Sequence, residues 1–252
     1  MKRVLHAAGV ICSILLISAC NKLNLLKDHF QDQKLFQLKE FVFEGSSFRL
    51  YYDRMGFVDS VQETAPDFYT VVHVIHHGCT IDSVTGDPSG TITNIGYDDS
   101  GRVIGYNVFM RSNPLRPPTV FTFDYQPNNV LVITKAFIPP FIRTDELHFD
   151  ADHDATGWNV IQRPTADDLR AYTFDGGQNP LFLVKDAEVF LNTQFEQIFS
   201  RHNALTKIYY LHPGFQVNYQ NRYDQHRRLV KKVYTELDRS HPDSVEYRYF
   251  IK

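Results

Sequence analysis

The chain has 252 residues and a formal net charge of −3, a balance that leaves no electrostatic footprint for nucleic acid. Aromatic residues make up 14% of it, as 20 Phe, 14 Tyr and 1 Trp, a composition that favours strands. Beyond the first twenty residues no segment is apolar for long enough to cross a bilayer as a helix. The chain also lacks a phosphate loop, a dinucleotide fingerprint and a nucleophile elbow, so no cofactor is expected.

Lys2 and Arg3 open the chain with positive charge, and an apolar run follows from Val4 to Ile17. At about 14 residues it is short of the roughly 20 that span a membrane, and it reads as a secretory signal peptide. It closes on Ile17-Ser18-Ala19-Cys20, with cysteine at the cleavage position. This segment resembles the lipobox of bacterial lipoproteins. The resemblance implies cleavage after Ala19, a diacylglycerol thioether and an acylated amino terminus on Cys20, and hence a membrane partner held through lipid. The expected organisation is a signal peptide over 1–19, a membrane tether over 20–40 and a single β domain over 41–252. Asn21 is not the aspartate that retains such lipoproteins at the inner membrane, and the tether lacks an acidic export cluster. The resemblance therefore implies the outer membrane, facing the periplasm, with the cell surface as alternative. Cys12 leaves with the signal and Cys20 takes lipid, so Cys79 is expected as a buried free thiol with no disulfide in the mature domain.

From Phe41 onward short alternating segments dominate. Phe215, Val217 and Tyr219 alternate with Gln216, Asn218 and Gln220, and Val245, Tyr247, Tyr249 and Ile251 form one face of the last segment. Period two marks strands with one buried and one wet face, the pattern of antiparallel sheets. A turn formula repeats between them: Tyr52-Asp53 leads to Gly56, Tyr97-Asp98 to Gly101, and His153-Asp154 to Gly157. Looser copies begin at Phe123-Asp124, Phe174-Asp175 and Tyr223-Asp224, with Pro127 and Arg227 in place of glycine in two of them. The aspartate accepts bonds from backbone amides two residues on, and glycine supplies positive φ without steric penalty. Asp186 to Asn203 is read as a helix from Leu191, Phe195, Ile198 and Phe199, plugging or covering the sheet.

The aromatic-Asp-x-x-Gly-x-aliphatic unit resembles the tyrosine-aspartate repeat of Rhs-type proteins. The C-terminal layout, from Asn203-Ala204-Leu205-Thr206-Lys207-Ile208 through Tyr223-Asp224 to Val245-Glu246-Tyr247-Arg248-Tyr249, is similar to an uncharacterised bacterial lipoprotein family described as porin-like. That resemblance covers residues 45–252 and implies a fold without a reaction. The expected fold class is all-β: a strongly curved antiparallel meander, an open or partly closed barrel, with one short helix and long loops.

Two clusters invite a metal. His73, His76, His77 and Cys79 are zinc-type ligands, but on a strand His73 and His77 share a face while His76 points away. Asp150, Asp152 and Asp154 have the spacing that opens a calcium loop, but Ala155 and Ile161 stand where that loop needs glycine and a bidentate glutamate. No metal site is therefore assigned. A glycosidase would need two facing carboxylates, which no spacing reveals. The function expected is a non-enzymatic module binding a ligand or an envelope-protein partner. A half-barrel carrier of lipid and a glycan-binding or glycan-processing lipoprotein are the alternatives.

Overall fold

Alternation of inward apolar and outward polar side chains carries the chain through seventeen strands. The computed structural model describes residues 37–250 apart from 44, 88–89, 114, 138–140, 163–168, 192–197, 211–214 and 236–241. The signal peptide, Ala19, Cys20, most of the expected tether, the turn at Pro88-Ser89, the turn at His212-Pro213-Gly214 and Ile251 lie outside the described residues.

The first half holds β1 (Leu38–Phe43), β2 (Ser46–Tyr52), β3 (Val58–Ala65), β4 (Phe68–His77), β5 (Thr80–Asp87), β6 (Gly90–Tyr97), β7 (Val103–Met110), β8 (Thr119–Gln126) and β9 (Val130–Ala136). The second holds β10 (Ile142–Phe149), β11 (Ala155–Gln162), β12 (Leu169–Gln178), β13 (His202–Tyr209), β14 (Gln216–Asn218), β15 (Gln220–Tyr223), β16 (Leu229–Tyr234) and β17 (Asp243–Tyr249). A short helix, α1 (Ala187–Phe190), lies in the long β12–β13 connection, and Ile198 and Phe199 are helical again near its end. The sheet begins at Leu38, inside the stretch expected as tether.

Apart from β14 and β15, each strand pairs antiparallel with its neighbour in sequence, and β17 returns to pair with β1, Phe41 opposite Tyr247. The result is a nearly closed barrel, the all-β meander expected from the alternation. Its seam falls at Tyr219, where β14 pairs with β13 and β15 with β16. The Tyr219 amide alone holds the main chain there, donating to the Leu205 carbonyl at 2.9 Å. Side chains complete the seam. Asn221 Nδ2 donates to the Ala204 carbonyl at 3.0 Å and to Asp175 Oδ2 at 2.8 Å. Asn203 Nδ2 donates to the carbonyls of Gly177 and Gln178, and the Tyr223 hydroxyl donates to Asp175.

The inner wall is apolar over β2 to β8. Leu50, Val61 and Val72 form one cross-strand row, and Val74, Val84, Ile92 and Val108 another. The outer wall is mixed: on β8, exposed Thr122, Asp124 and Gln126 alternate with buried Phe121 and Phe123, while Ile75, Ile104 and Ile161 also stand exposed on β4, β7 and β11. On β16 and β17 an outward Lys231–Glu246 pair sits at 2.9 Å. The faces expected for Val217 and Tyr219, and for Val245, Tyr247 and Tyr249, are buried as predicted.

Antiparallel connectivity puts every second connection at the same end. That end carries the turns at 53–57, 98–102, 150–154 and 224–228. In each the aspartate Oδ1 accepts from the amides two and four residues on: Met55 and Phe57 at Asp53, Ser100 and Arg102 at Asp98, His226 and Arg228 at Asp224. Asp150 does the same with Asp152 and Asp154. The residue three places after the aspartate takes positive φ, as Gly56, Gly101, His153 and Arg227. This corrects the third copy of the formula. The turn aspartate is Asp150, not Asp154, and Gly157 lies within β11 opposite His148 and Ala171. His153 supplies the positive φ that glycine supplies elsewhere, so the glycine search landed four residues late. Two looser copies also fail: Asp124 lies in β8, where the turn is made by Asn128 and Asn129 at positive φ, and Asp175 belongs to the seam.

The expected helix over 186–203 is also corrected. Helix α1 ends at Phe190, Leu191 is extended with φ −96 and ψ 112, and β13 begins at His202. The apolar spacing reflects a folded plug: Leu181, Val184, Ala187, Val189, Phe190, Leu191 and Ile198 all join the barrel core.

Candidate functional site

Two places concentrate polar chemistry within the apolar frame: the plug, and the mouth at the opposite end. The plug is clamped at its base. The Asn179 amide donates to the Arg201 carbonyl, and Asn179 Nδ2 to the Ser200 carbonyl at 2.8 Å. The Ala155 amide donates to Ser200 Oγ at 3.0 Å. Asp154, 3% exposed, accepts from the His202 amide at 2.7 Å on one oxygen and lies 2.7 Å from His202 Nδ1 on the other. This carboxylate fixes the imidazole and fastens β13 to the Asp150 turn.

The plug tip reaches the opposite wall. The Tyr106 hydroxyl donates to the Glu188 carbonyl, the Tyr97 hydroxyl to Asp186 Oδ2 at 3.2 Å, and Lys185 Nζ to the Cys79 carbonyl. Lys185 Nζ also lies 5.0 Å from the centre of the Phe57 ring. Burial, with the neighbouring Asp186 carboxylate, pushes the Glu188 carboxyl up to about 7. Burial likewise raises Asp186, opposed by the Lys185 charge. Burial raises the Tyr97 and Tyr106 phenols well above their usual range, so they act as neutral donors.

Behind the plug base a void lined by Tyr172, Phe174, Ser200, His202, Tyr219 and Lys232 measures about 10 Å³, room for roughly one water. A shallow outer depression of about 440 Å³ lies over β5 and β6, beside His77, Asp82, Thr93 and Asn94.

The mouth has a different inner wall. Phe121, Lys135 and Arg143 stand directly opposite one another on β8, β9 and β10, all on the inner face. Asp145, one step deeper, accepts from Arg143 Nε at 3.0 Å and from Trp158 Nε1 at 3.1 Å. Arg170 stacks 4.5 Å from the centre of the Trp158 ring. Lys135 Nζ lies 4.9 Å from the Phe121 ring and 5.0 Å from Phe137. Cations interleaved with rings were not visible in the sequence, because the residues come from five strands. Only the alternation of Phe121, Phe123 and Tyr125 hinted at the face they share.

The predicted site residues do not converge. His73 and His77 are exposed on the outer face of β4, while His76 turns in, its Nε2 2.7 Å from the Val58 carbonyl and its ring stacked on Phe57. Cys79 is half-buried and disulfide-bonded, not a buried free thiol. Asp150 makes the turn, Asp152 is exposed and Asp154 points to His202. Among the described residues no three His, Cys, Asp or Glu side chains are grouped to hold a metal.

No protein-family model matches the chain, and no curated protein does. Among solved structures it is similar to a porin-like protein from Bacteroides vulgatus ATCC 8482, with a TM-score of 0.55 and 12% identity over 85% of this chain and 99% of that one. A porin-like protein from Bacteroides uniformis ATCC 8492 aligns over 84% of this chain and 97% of its own, at 10% identity and a TM-score of 0.40. The first similarity shows a porin-like fold.

Proposed function

We propose that this protein is a lipid-anchored cell-envelope module that binds a ligand or partner at its surface without catalysing a reaction on it. The observation that carries this reading is the filled barrel. Apolar rows line the inner wall, the plug packs into the same core, and the void behind it has about 10 Å³. A drug-sized ligand occupies roughly 300–1,000 Å³, far more than the void behind the plug, so this reading places the ligand at the surface and not behind the plug.

The outer wall supports anchoring by lipid over insertion by strands. All the described strands except β4 and β12, which have 10 residues, hold 8 or fewer, where a tilted membrane strand needs roughly 9–11. Charged side chains such as Asp124, Lys231 and Glu246 stand outward in mid-strand, and lysine or arginine at a bilayer midplane costs about 2–4 kcal/mol. Cys20 then supplies the membrane attachment, in the outer membrane and facing the periplasm, and this reading requires its sulfur to carry lipid in the mature protein instead of pairing with Cys79. The chain enters β1 at the end that carries the aspartate turns, opposite the mouth. The test is a thermal-shift screen of the purified protein against glycans, lipids and envelope extracts: a binder raises the midpoint by mass action. Conductance across a planar bilayer would contradict the filled barrel.

A further inference from the structure

We infer that the mouth of the barrel holds an oxyanion, a carboxylate or a phosphate group of the ligand, between Lys135 and Arg143. This names the ligand class for the binding-module reading above and rests on it. The two cations sit opposite each other across the β9–β10 ladder and on the same face, which puts their Cβ atoms about 5 Å apart. Both remain reachable: the Arg143 side chain is 35% exposed and Lys135 is half-buried.

Their charges are not balanced equally. Asp145 takes two nitrogens of Arg143, with Nη2 at 3.0 Å, and it also accepts from Trp158. That leaves Asp145 committed to Arg143. Lys135 Nζ has two aromatic faces around it, Phe121 and Phe137, and among the described residues no carboxylate at ion-pair distance. Burial, then the Arg143 charge beside it, depresses the Lys135 ammonium. An ammonium held in place by rings, beside a guanidinium already oriented by a carboxylate, is an incomplete anion site. A bound oxyanion would supply the missing countercharge and accept from donors already positioned. The rings fix where the ammonium sits, so the site is preorganised and loses little side-chain freedom on binding.

The full chain, purified in mild detergent, would be titrated calorimetrically with trigalacturonate as the carboxylate probe and pyrophosphate as the phosphate probe. The parent is expected to bind at least one, and Lys135→Gln to weaken that binding by tenfold or more, with the thermal midpoint unchanged. Lys135→Arg should keep most of the affinity. Which probe wins assigns the ligand to acidic saccharides or to phosphorylated molecules. A parent that binds neither, or a Lys135→Gln variant that binds as tightly as the parent, overturns the inference. A stabilising ligand from the thermal-shift screen whose effect is indifferent to Lys135→Gln overturns the inference while leaving the binding-module reading standing.

Discussion

Two carboxyl groups at the tip of the plug, on Asp186 and Glu188, are enclosed with one lysine and the hydroxyls of Tyr97 and Tyr106. Because Glu188 holds its proton up to about pH 7 in the folded state, the folded protein binds more protons than the unfolded chain between the ordinary carboxyl range and neutrality. Stability from this group is therefore full at acid pH and is lost as pH rises through about 7. Glu188→Gln should stabilise the protein by up to about 3 kcal/mol at pH 8.5 and by little at pH 4. Urea midpoints at the two pH values measure this, and an equal shift at both would contradict it. Asp154 stabilises the fold, its carboxylate accepting from the His202 amide and lying against the His202 ring nitrogen. Asp154→Ala should lower stability by about 1–3 kcal/mol in the same assay. At this scale the sequence was legible where chemistry is local. Asp53, Asp98 and Asp224 make the turns expected of them, because an aspartate bonding to amides two and four residues on needs nothing distant. Asp154 was misplaced because His153, not a glycine, takes the positive φ, and Gly157 drew the motif out of frame.

Strands were legible as elements because alternation is a local signature of a wall wet on one side. The plug was not. Leu191 and Ile198 recur at helical spacing, but the chain is extended at Leu191, and burial against the barrel explains the same residues. The seam is sensitive to a single methyl group. A Cβ on Gly177 would overlap the Tyr223 phenol, whose hydroxyl bonds Asp175. Gly177→Ala should displace that ring, open the β12–β13–β15 contact and cost several kcal/mol, with amide exchange of Tyr219 and Asn221 accelerating ahead of the other strands. The turn at 224–228 offers the converse. Arg227 holds φ 61 where two of its three sister turns place glycine. Arg227→Gly should relieve about 0.5–1 kcal/mol of backbone strain, seen as a small rise in thermal midpoint.

For the whole molecule, closure depends on β1 meeting β17, with Leu38 opposite Tyr249. Nothing local in either strand specifies that pairing, so the sequence supports a curved meander and not its closing. The mouth was hidden for the same reason: Lys135, Arg143, Trp158 and Arg170 become neighbours only once the register is set. The nearly closed barrel packs most of its apolar side chains inward around a plug and carries charges such as Asp124, Lys231 and Glu246 on its outer wall. On this account Cys20, and not the strands, holds the protein at the membrane. The most direct measurement is the partition of a Cys20→Ala variant between membrane and soluble fractions, with circular dichroism of the soluble material. The account predicts release into the soluble fraction with the β-sheet spectrum intact. A variant that stays in the membrane, resists alkaline extraction and keeps the same spectrum would contradict it.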